Sequence, residues 1–407
     1  MTPPPDHPPT NGPHASVGTV ALLTSLVMLA QLATSLYLPS LPSLAEAFDV
    51  EAGEVKLTMT VFLAAFALAQ LVYGPISDRY GRRPVLAIGI LIYIVGSAIC
   101  GFATSLTTLI VGRIIQGAGA CAGPAIARAV VRDRFGRVES ARVLAYIGMA
   151  MAVSPALGPI IGGKLQVWFG WQACFAVLFA FGLAVLFVSR LRLIESLKTP
   201  DPSATAPVRL IRNYATLLAN PGFLVYTLIV GCFFGGLFAF ATGLPFVFIE
   251  LAGMSPDDFG AVFIITVVGY LSGSVVTSRI SHRIAGERLV FGGTAIQFAA
   301  GATLLALVIG GNLSVPAIML PIMVYMFGFA VALPHAQVGA MAPFPMMAGA
   351  ASALLGFSQM GMASIGAAGV AIFYNETPVP MAAVLFAMAF VAMLACLLLW
   401  RVRHEPD

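Results

Sequence analysis

Apolar runs of about twenty residues recur along the whole chain, and no other feature constrains the fold as tightly. A helix needs roughly 20 residues at about 1.5 Å rise each to cross a hydrocarbon core about 30 Å thick. Runs near that length lie at 17–38, 55–76, 84–103, 107–129, 141–165 and 172–190, then at 222–247, 259–279, 287–309, 315–338, 348–374 and 380–400. A water-exposed surface is excluded, because 9% of the 407 residues are charged and 59% hydrophobic, whereas a soluble domain carries about 25% charged residues. Inside lipid, backbone groups must be satisfied within a helix or a closed barrel. The alternating strands of a barrel, about 10 residues each, are not visible. The expected fold class is therefore an all-α membrane protein with twelve transmembrane helices.

The runs divide into six and six. Between them, 191–220 includes Thr199, Pro200, Asp201, Pro202 and Ser203, a linker by composition. The expected organisation is a tail over 1–16, a six-helix bundle over 17–190, the linker over 191–220, a second bundle over 221–400 and a short tail over 401–407. The proline-rich start, MTPPPDHPPTNGPH, has no basic segment of the signal-peptide kind and reads as a disordered tail. Basic residues set orientation. With the N-terminus inside, eighteen arginines and lysines fall on the cytoplasmic side, only Lys56 and Lys164 on the other, and Arg113 within a helix. Both termini are thus expected in the cytoplasm. The loop SDRYGRRPVL after the second run has a weaker counterpart, SHRIAGERLV, after the eighth, which favours two related halves. The net charge of +4 comes from these short loops, so a nucleic-acid partner is not expected. The five cysteines lie in apolar stretches without metal-ligand spacing and read as small core residues.

Three stretches carry polar chemistry where a bilayer tolerates little of it. Gly74-Pro75-Ile76-Ser77-Asp78-Arg79-Tyr80-Gly81-Arg82-Arg83 falls between the second and third runs. There Gly81 permits a tight turn, and Asp78 could face a helix N-terminus, where the dipole favours negative charge. Arg113 lies well inside the fourth run, with Gln116 and Gly117 on the same face. A charge at that depth costs at least about 2.5 kcal/mol and normally faces a cavity or a partner. In the fifth run, from Gly148 to Gly163, Ser154, Gly158 and Gly162 form a small-residue ridge suited to close helix packing, and Pro155 and Pro159 are expected to bend the helix.

These stretches resemble motifs of the major facilitator superfamily: its G-x-x-x-D-R-x-G-R-[KR] signature, the helix-4 R-x-x-Q-G motif of drug:proton antiporters and the helix-5 antiporter motif ending G-P-x-x-G-G, here Gly158, Pro159, Gly162 and Gly163. Tyr37-Leu38-Pro39, Arg128 to Asp133, the FVFIELAG run at 246–253 and the run at 350–356 resemble more narrowly the bicyclomycin/chloramphenicol resistance branch. The resemblance spans nearly the whole chain. It implies that Asp78 meets the start of helix 11, that Arg82 pairs with Asp133, and that Gly74, Arg79, Gly81 and Arg83 complete a latch between the halves. It also ties Arg113 and Gln116 to proton coupling. The implied function is proton-driven efflux of small amphipathic drugs of the phenicol or bicyclomycin kind across the bacterial inner membrane. The protein would be a monomer in the lipid bilayer, with a small-molecule substrate and no cofactor beyond the proton gradient.

The chain departs from that branch at Ser35, where an aspartate is typical, and no acid lies in the middle of any run. His335 offers a titratable substitute. Candidate cavity residues are Gln31, Ser35, Tyr37, Phe233, Phe234 and Gln359, a weakly polar aromatic set suited to neutral or amphipathic compounds. Export of an endogenous metabolite or metallophore, or transport with altered or absent proton coupling, stays open. No phosphate-binding G-x-x-x-x-G-K-[ST] loop and no nucleophile–base constellation is present, so neither ATP drive nor an enzyme is expected.

Overall fold

The computed structural model describes residues 16–197 and 199–404; all but the last residue of the expected N-terminal tail, Lys198 of the linker and 405–407 lie outside it. Twelve helices among the described residues are long and apolar enough to span a membrane. They are α1 (Val17–Phe48), α2 (Ala52–Tyr80), α3 (Arg82–Gly101), α4 (Leu106–Arg134), α5 (Arg137–Phe169), α6 (Gln172–Arg192), α7 (Pro221–Leu251), α8 (Pro256–Ile280), α9 (Gly286–Ile309), α10 (Val315–Met341), α11 (Pro345–Ile372) and α12 (Val379–His404). No strand occurs among the described residues.

Helix starts follow from local chemistry. Ser16, Ser105, Asn220 and Ser255 each accept the backbone N–H three residues on, satisfying donors that the first turn leaves free. Pro221 and Pro256 occupy first-turn positions that need no N–H. The first span exceeds its apolar run because a 3-10 turn at Leu38–Ser40 joins it to a further helix, Leu41–Phe48. The polar stretch over 191–220 is not irregular throughout. It contains a linker helix, Pro207–Leu218, with Leu217 buried and the Tyr214 hydroxyl donating to the Leu71 carbonyl at 2.9 Å.

Water-driven burial contributes little between helices in lipid, so packing depends on close backbone approach at small residues. A Cβ on Gly96 of α3 would lie 2.6 Å from the Gln116 Cα of α4, and one on Gly273 of α8 would lie 3.0 Å from the Phe327 Cα of α10. Between the two sets of six helices, α2 packs against α11 and α5 against α8. These seams enclose a cavity of about 380 Å³ lined by both sets.

Candidate functional site

The cavity is aromatic and sulfur-rich, with sparse polar points. Phe62, Phe66, Phe234, Phe238 and Phe329 line it with Met151, Met326 and Met360, and Gln31, Thr34, Ser35, Gln337 and Gln359 interrupt the apolar wall. Among the described residues no carboxylate lines it, and Arg128 is its one charged residue. The Ser154 hydroxyl and Gln70 Oε1 belong to the same wall, are buried, and have no hydrogen-bond partner. Of the expected substrate residues, Gln31, Ser35, Phe234 and Gln359 line the cavity, whereas Tyr37 and Phe233 do not. Tyr37 is fully buried against Phe175 and Arg113, and Phe233 packs into the core against Phe329. Consecutive residues on a helix point about 100° apart, so Phe234 takes the cavity and its neighbour Phe233 the core. Ser35 turns its hydroxyl back to the Gln31 carbonyl at 2.8 Å.

Arg113 is wholly buried behind that wall. It donates to the Ala33 carbonyl at 3.0 Å and to Gln116 Oε1 at 2.5 Å, and its guanidinium lies over the Tyr37 and Phe62 rings at 4.3 and 4.1 Å. No carboxylate pairs with it among the described residues. Gln116 passes the chain of bonds to Ser97 at 2.9 Å, and Ser97 donates to the Tyr93 carbonyl at 2.8 Å. Carbonyl dipoles and two ring faces thus take the place of a counter-ion. The missing side chain of Gly117 lets α4 approach α2, where a Cβ would lie 3.1 Å from the Phe62 carbonyl carbon. Phe62 thus touches both the cavity, which it lines, and Arg113, which lies over its ring.

His335 is not at the cavity. Its Nδ1 faces Gly286 at the start of α9, 3.3 Å from where a Cβ would stand, and its Nε2 is buried without a partner. Two positions either side of it, Leu333 and Gln337 point inward instead. A proton on His335 therefore has no direct contact with cavity contents.

At the arginine-rich end, α2 turns into α3 through Gly81, whose φ of +97° is a backbone setting that favours glycine. Arg82 is the hub. It reaches Asp78 at 2.6 Å, Asp133 at 2.9 Å and Ser77 Oγ at 2.6 Å. Arg79 donates to Thr205 Oγ1, and Arg83 to the Arg190 carbonyl, each at 2.6 Å. Asp78 makes no bond to the start of α11 among the described residues; it shares a vestibule of about 390 Å³ with Gly349 and Ala350 there. The guanidinium one turn away holds that carboxylate, since a charge-assisted contact outweighs a helix end across open space. Gly74 also lines this vestibule, and its Cβ direction is open. Glu195, which local sequence does not reveal, caps α3 from beyond α6. It accepts the backbone N–H groups of Arg82 and Arg83 at 3.0 Å and those of Ser196 and Leu197 at 3.0 Å. Burial alone would push its carboxyl up, but these four donors prevail and hold it below the usual carboxylate range.

The opposite end is shut. A Cβ on Gly53 of α2 would sit 2.9 Å from the Ala371 carbonyl oxygen of α11, and Ser364 donates to the Thr60 carbonyl at 2.9 Å. Lys56 crosses this seam fully buried, its Nζ 3.6 Å from the Phe246 ring centroid and 3.0 Å from that of Tyr374, with no hydrogen-bond acceptor. The sequence showed Lys56 only as one of two cations near this end; its ring partners are about 190 and 318 residues away and cannot be read locally. In α5 the ridge splits its task. A Cβ on Gly158 would lie 2.5 Å from the Ser35 Cβ and one on Gly162 2.8 Å from the Leu36 carbonyl carbon, both in α1. A Cβ on Gly163 would instead lie 2.9 Å from the Pro256 carbonyl carbon of α8, across the seam. Gly148, Ser154 and Pro155 line the cavity, and Pro159 meets Gly260 of α8. The helix runs unbroken through both prolines.

The sequence profile of the Major Facilitator Superfamily matches residues 23–367. The chain is 33% identical to the uncharacterized MFS-type transporter YdgK of Bacillus subtilis strain 168, over 92% of this chain and 93% of that one. It is 31% identical to Multidrug resistance protein D of Escherichia coli strain K12, over 86% of each. Identity with the Chloramphenicol resistance protein of Pseudomonas aeruginosa is 29%, over 94% and 91%. In fold it is similar to the xylose transporter XylE of E. coli in a partially occluded inward-open conformation, with a TM-score of 0.74 at 14% identity, covering 96% of this chain and 97% of that one.

Proposed function

Because this chain belongs to the Major Facilitator Superfamily and is a multi-pass membrane transporter, we propose that it exports small amphipathic drugs of the phenicol or bicyclomycin kind by alternating access, driven by the proton gradient. The carrying observation is the aromatic cavity of about 380 Å³ between the two sets of helices, closed at the Lys56 end and adjoining a vestibule at the arginine-rich end. Gln70 and Arg128 line both spaces, so a path from one to the other runs past them. Relatives with resistance names at 28–31% identity support efflux rather than uptake. In this reading the arginine-rich end and both termini face the cytoplasm, and one chain is the working unit. Rocking of the two sets about the cavity would open the Lys56 seam while the vestibule closes.

The Arg113–Gln116–Ser97 chain is the coupling element in this proposal. Its role in this proposal is electrostatic, exerted through the guanidinium that lies over the Phe62 ring of the cavity wall. A second reading, facilitated export without proton antiport, is favoured by one observation. Among the described residues the cavity wall holds no carboxylate, and His335 lies off it. Liposomes carrying the protein and an internal pH dye separate the two. Addition of a neutral phenicol under a proton gradient should move protons in the wild type and not in Arg113→Ala. Substrate flux without proton movement would leave the second reading standing, and no flux of any resistance-type drug would remove both.

A further inference from the structure

Arg128 is a cation without an answer inside the protein. It is exposed to both the vestibule and the cavity, and among the described residues it makes no ion pair, hydrogen bond or ring contact. The neighbouring acids of the vestibule are engaged elsewhere: Asp78 with Arg82 and Asp201 with Arg209, each at 2.6 Å. The other vestibule arginines differ from it, since Arg82 is doubly paired and Arg132 lies 3.8 Å from Asp133. An unpaired guanidinium that lines an otherwise uncharged cavity is free to take an anionic partner. The cavity wall beyond it cannot supply one, being aromatic with amides and hydroxyls only, but Ser154 there presents a hydroxyl that is 1% exposed and unpartnered.

Resting on the efflux reading above, we propose that the preferred substrates are amphipaths bearing a single acidic group, whose anion pairs with Arg128 while the aromatic body occupies the Phe and Met wall. A guanidinium fork matches a carboxylate or sulfonate bidentately. The same charge repels lipophilic cations, and among the described residues no acid in the cavity compensates for it. Specificity is thus opposite to that of a cavity built around a buried carboxylate.

The test uses the full chain in lipid nanodiscs and three probes with one body: dansylglycine (anion), dansylglycinamide (neutral) and dansylcadaverine (cation). A hydrogen-bonded charge pair contributes about 1.5–3 kcal/mol, so the anion should bind the wild type roughly 10- to 150-fold more tightly than the amide, with the cation weakest. Arg128→Gln should bring the anion-to-amide ratio to about one, and Arg128→Lys should keep a preference of several-fold. The ratio within each variant is independent of how much protein is folded. An anion no better than the amide in the wild type, a preference that survives in Arg128→Gln, or tightest binding of the cation would each overturn the inference and leave efflux intact. If none of the three binds while a phenicol is still transported, the acidic-substrate assignment fails alone; if the phenicol is not transported either, both readings fail.

Discussion

Replacing Gly163 with alanine should shift the protein between its two access states, while the same change at Gly162 should not. The two residues are adjacent on α5 but face different partners. A Cβ at 163 would lie 2.9 Å from the Pro256 carbonyl carbon and 3.2 Å from the Asp257 Cα, both backbone atoms of the facing helix set. Backbone cannot rotate away as a side-chain tip can, so the seam must part by several tenths of an ångström. Overpacking of this kind costs about 1–3 kcal/mol. The cost falls only on the state in which α5 and α8 touch, because opening the Lys56 end removes the contact. A differential penalty of about 1–3 kcal/mol moves a two-state equilibrium roughly 5- to 150-fold. At 162 the collision is with the Leu36 carbonyl of α1, within one set of helices, so both states pay equally. The assay is alkylation by a membrane-impermeant maleimide of Ser364→Cys, a seam position that is 8% exposed in the closed end. The native cysteines are all buried and give a low background. Gly163→Ala should accelerate labelling about 5- to 150-fold at an unchanged or slightly lowered thermal midpoint. Gly162→Ala should lower the midpoint without acceleration. Equal labelling rates in Gly163→Ala and the wild type, or acceleration by Gly162→Ala alone, would refute the division of the ridge into packing and gating glycines.

Lys56→Met should tighten the same seam: an ammonium buried without an acceptor costs several kcal/mol, more than the about 2 kcal/mol returned by a desolvated cation–π contact. Labelling of Ser364→Cys should then slow, and faster labelling would show that the ring clamp dominates. Arg113→Lys keeps the charge but loses the fork to Ala33 and Gln116 and the stacking on Tyr37 and Phe62. Losing one charged hydrogen bond, about 1.5 kcal/mol, should cut transport roughly tenfold or more with protein still inserted; wild-type flux would reduce Arg113 to a bystander. Glu195→Gln should destabilise the turn at neutral pH by about 0.5–2 kcal/mol, the range of a helix cap. The folded-state carboxyl titrates below its unfolded value, so its contribution is present above the unfolded pKa and lost as pH falls through the folded one. Melting midpoints of wild type and variant should therefore converge in acid, and a constant gap across pH would count against the charged cap. Gly81→Ala forces a positive φ on a side chain and brings its Cβ to 2.8 Å from Glu195 Oε2. A loss of about 1–3 kcal/mol in stability is expected, read by the same melting measurement.

The number and length of the spans, the caps and the Gly81 turn are local matters. They depend on hydropathy over some twenty residues, on one side chain near a helix start or on one φ angle, and the sequence displays each of them. Pairing of Arg82 with Asp133 was implied only by the resemblance to the superfamily signature, and the two lie 2.9 Å apart. Everything that depends on which way a helix is rotated was decided by tertiary packing. Composition alone treats Phe233 and Phe234, or Gly162 and Gly163, as equivalent neighbours; a rotation of about 100° per residue sends one to the core or to α1 and the other to the cavity or to α8. His335 looked available because polarity inside a bilayer draws attention, yet its helix face turns it toward α9. The rings around Lys56 and the α3 N–H groups that meet Glu195 come from residues more than a hundred positions away. A bilayer fixes that these chains must be helices, because each helix satisfies its own backbone. It leaves the choice of neighbouring faces to small residues and a few polar contacts between helices, and those contacts exist only once the helices have met.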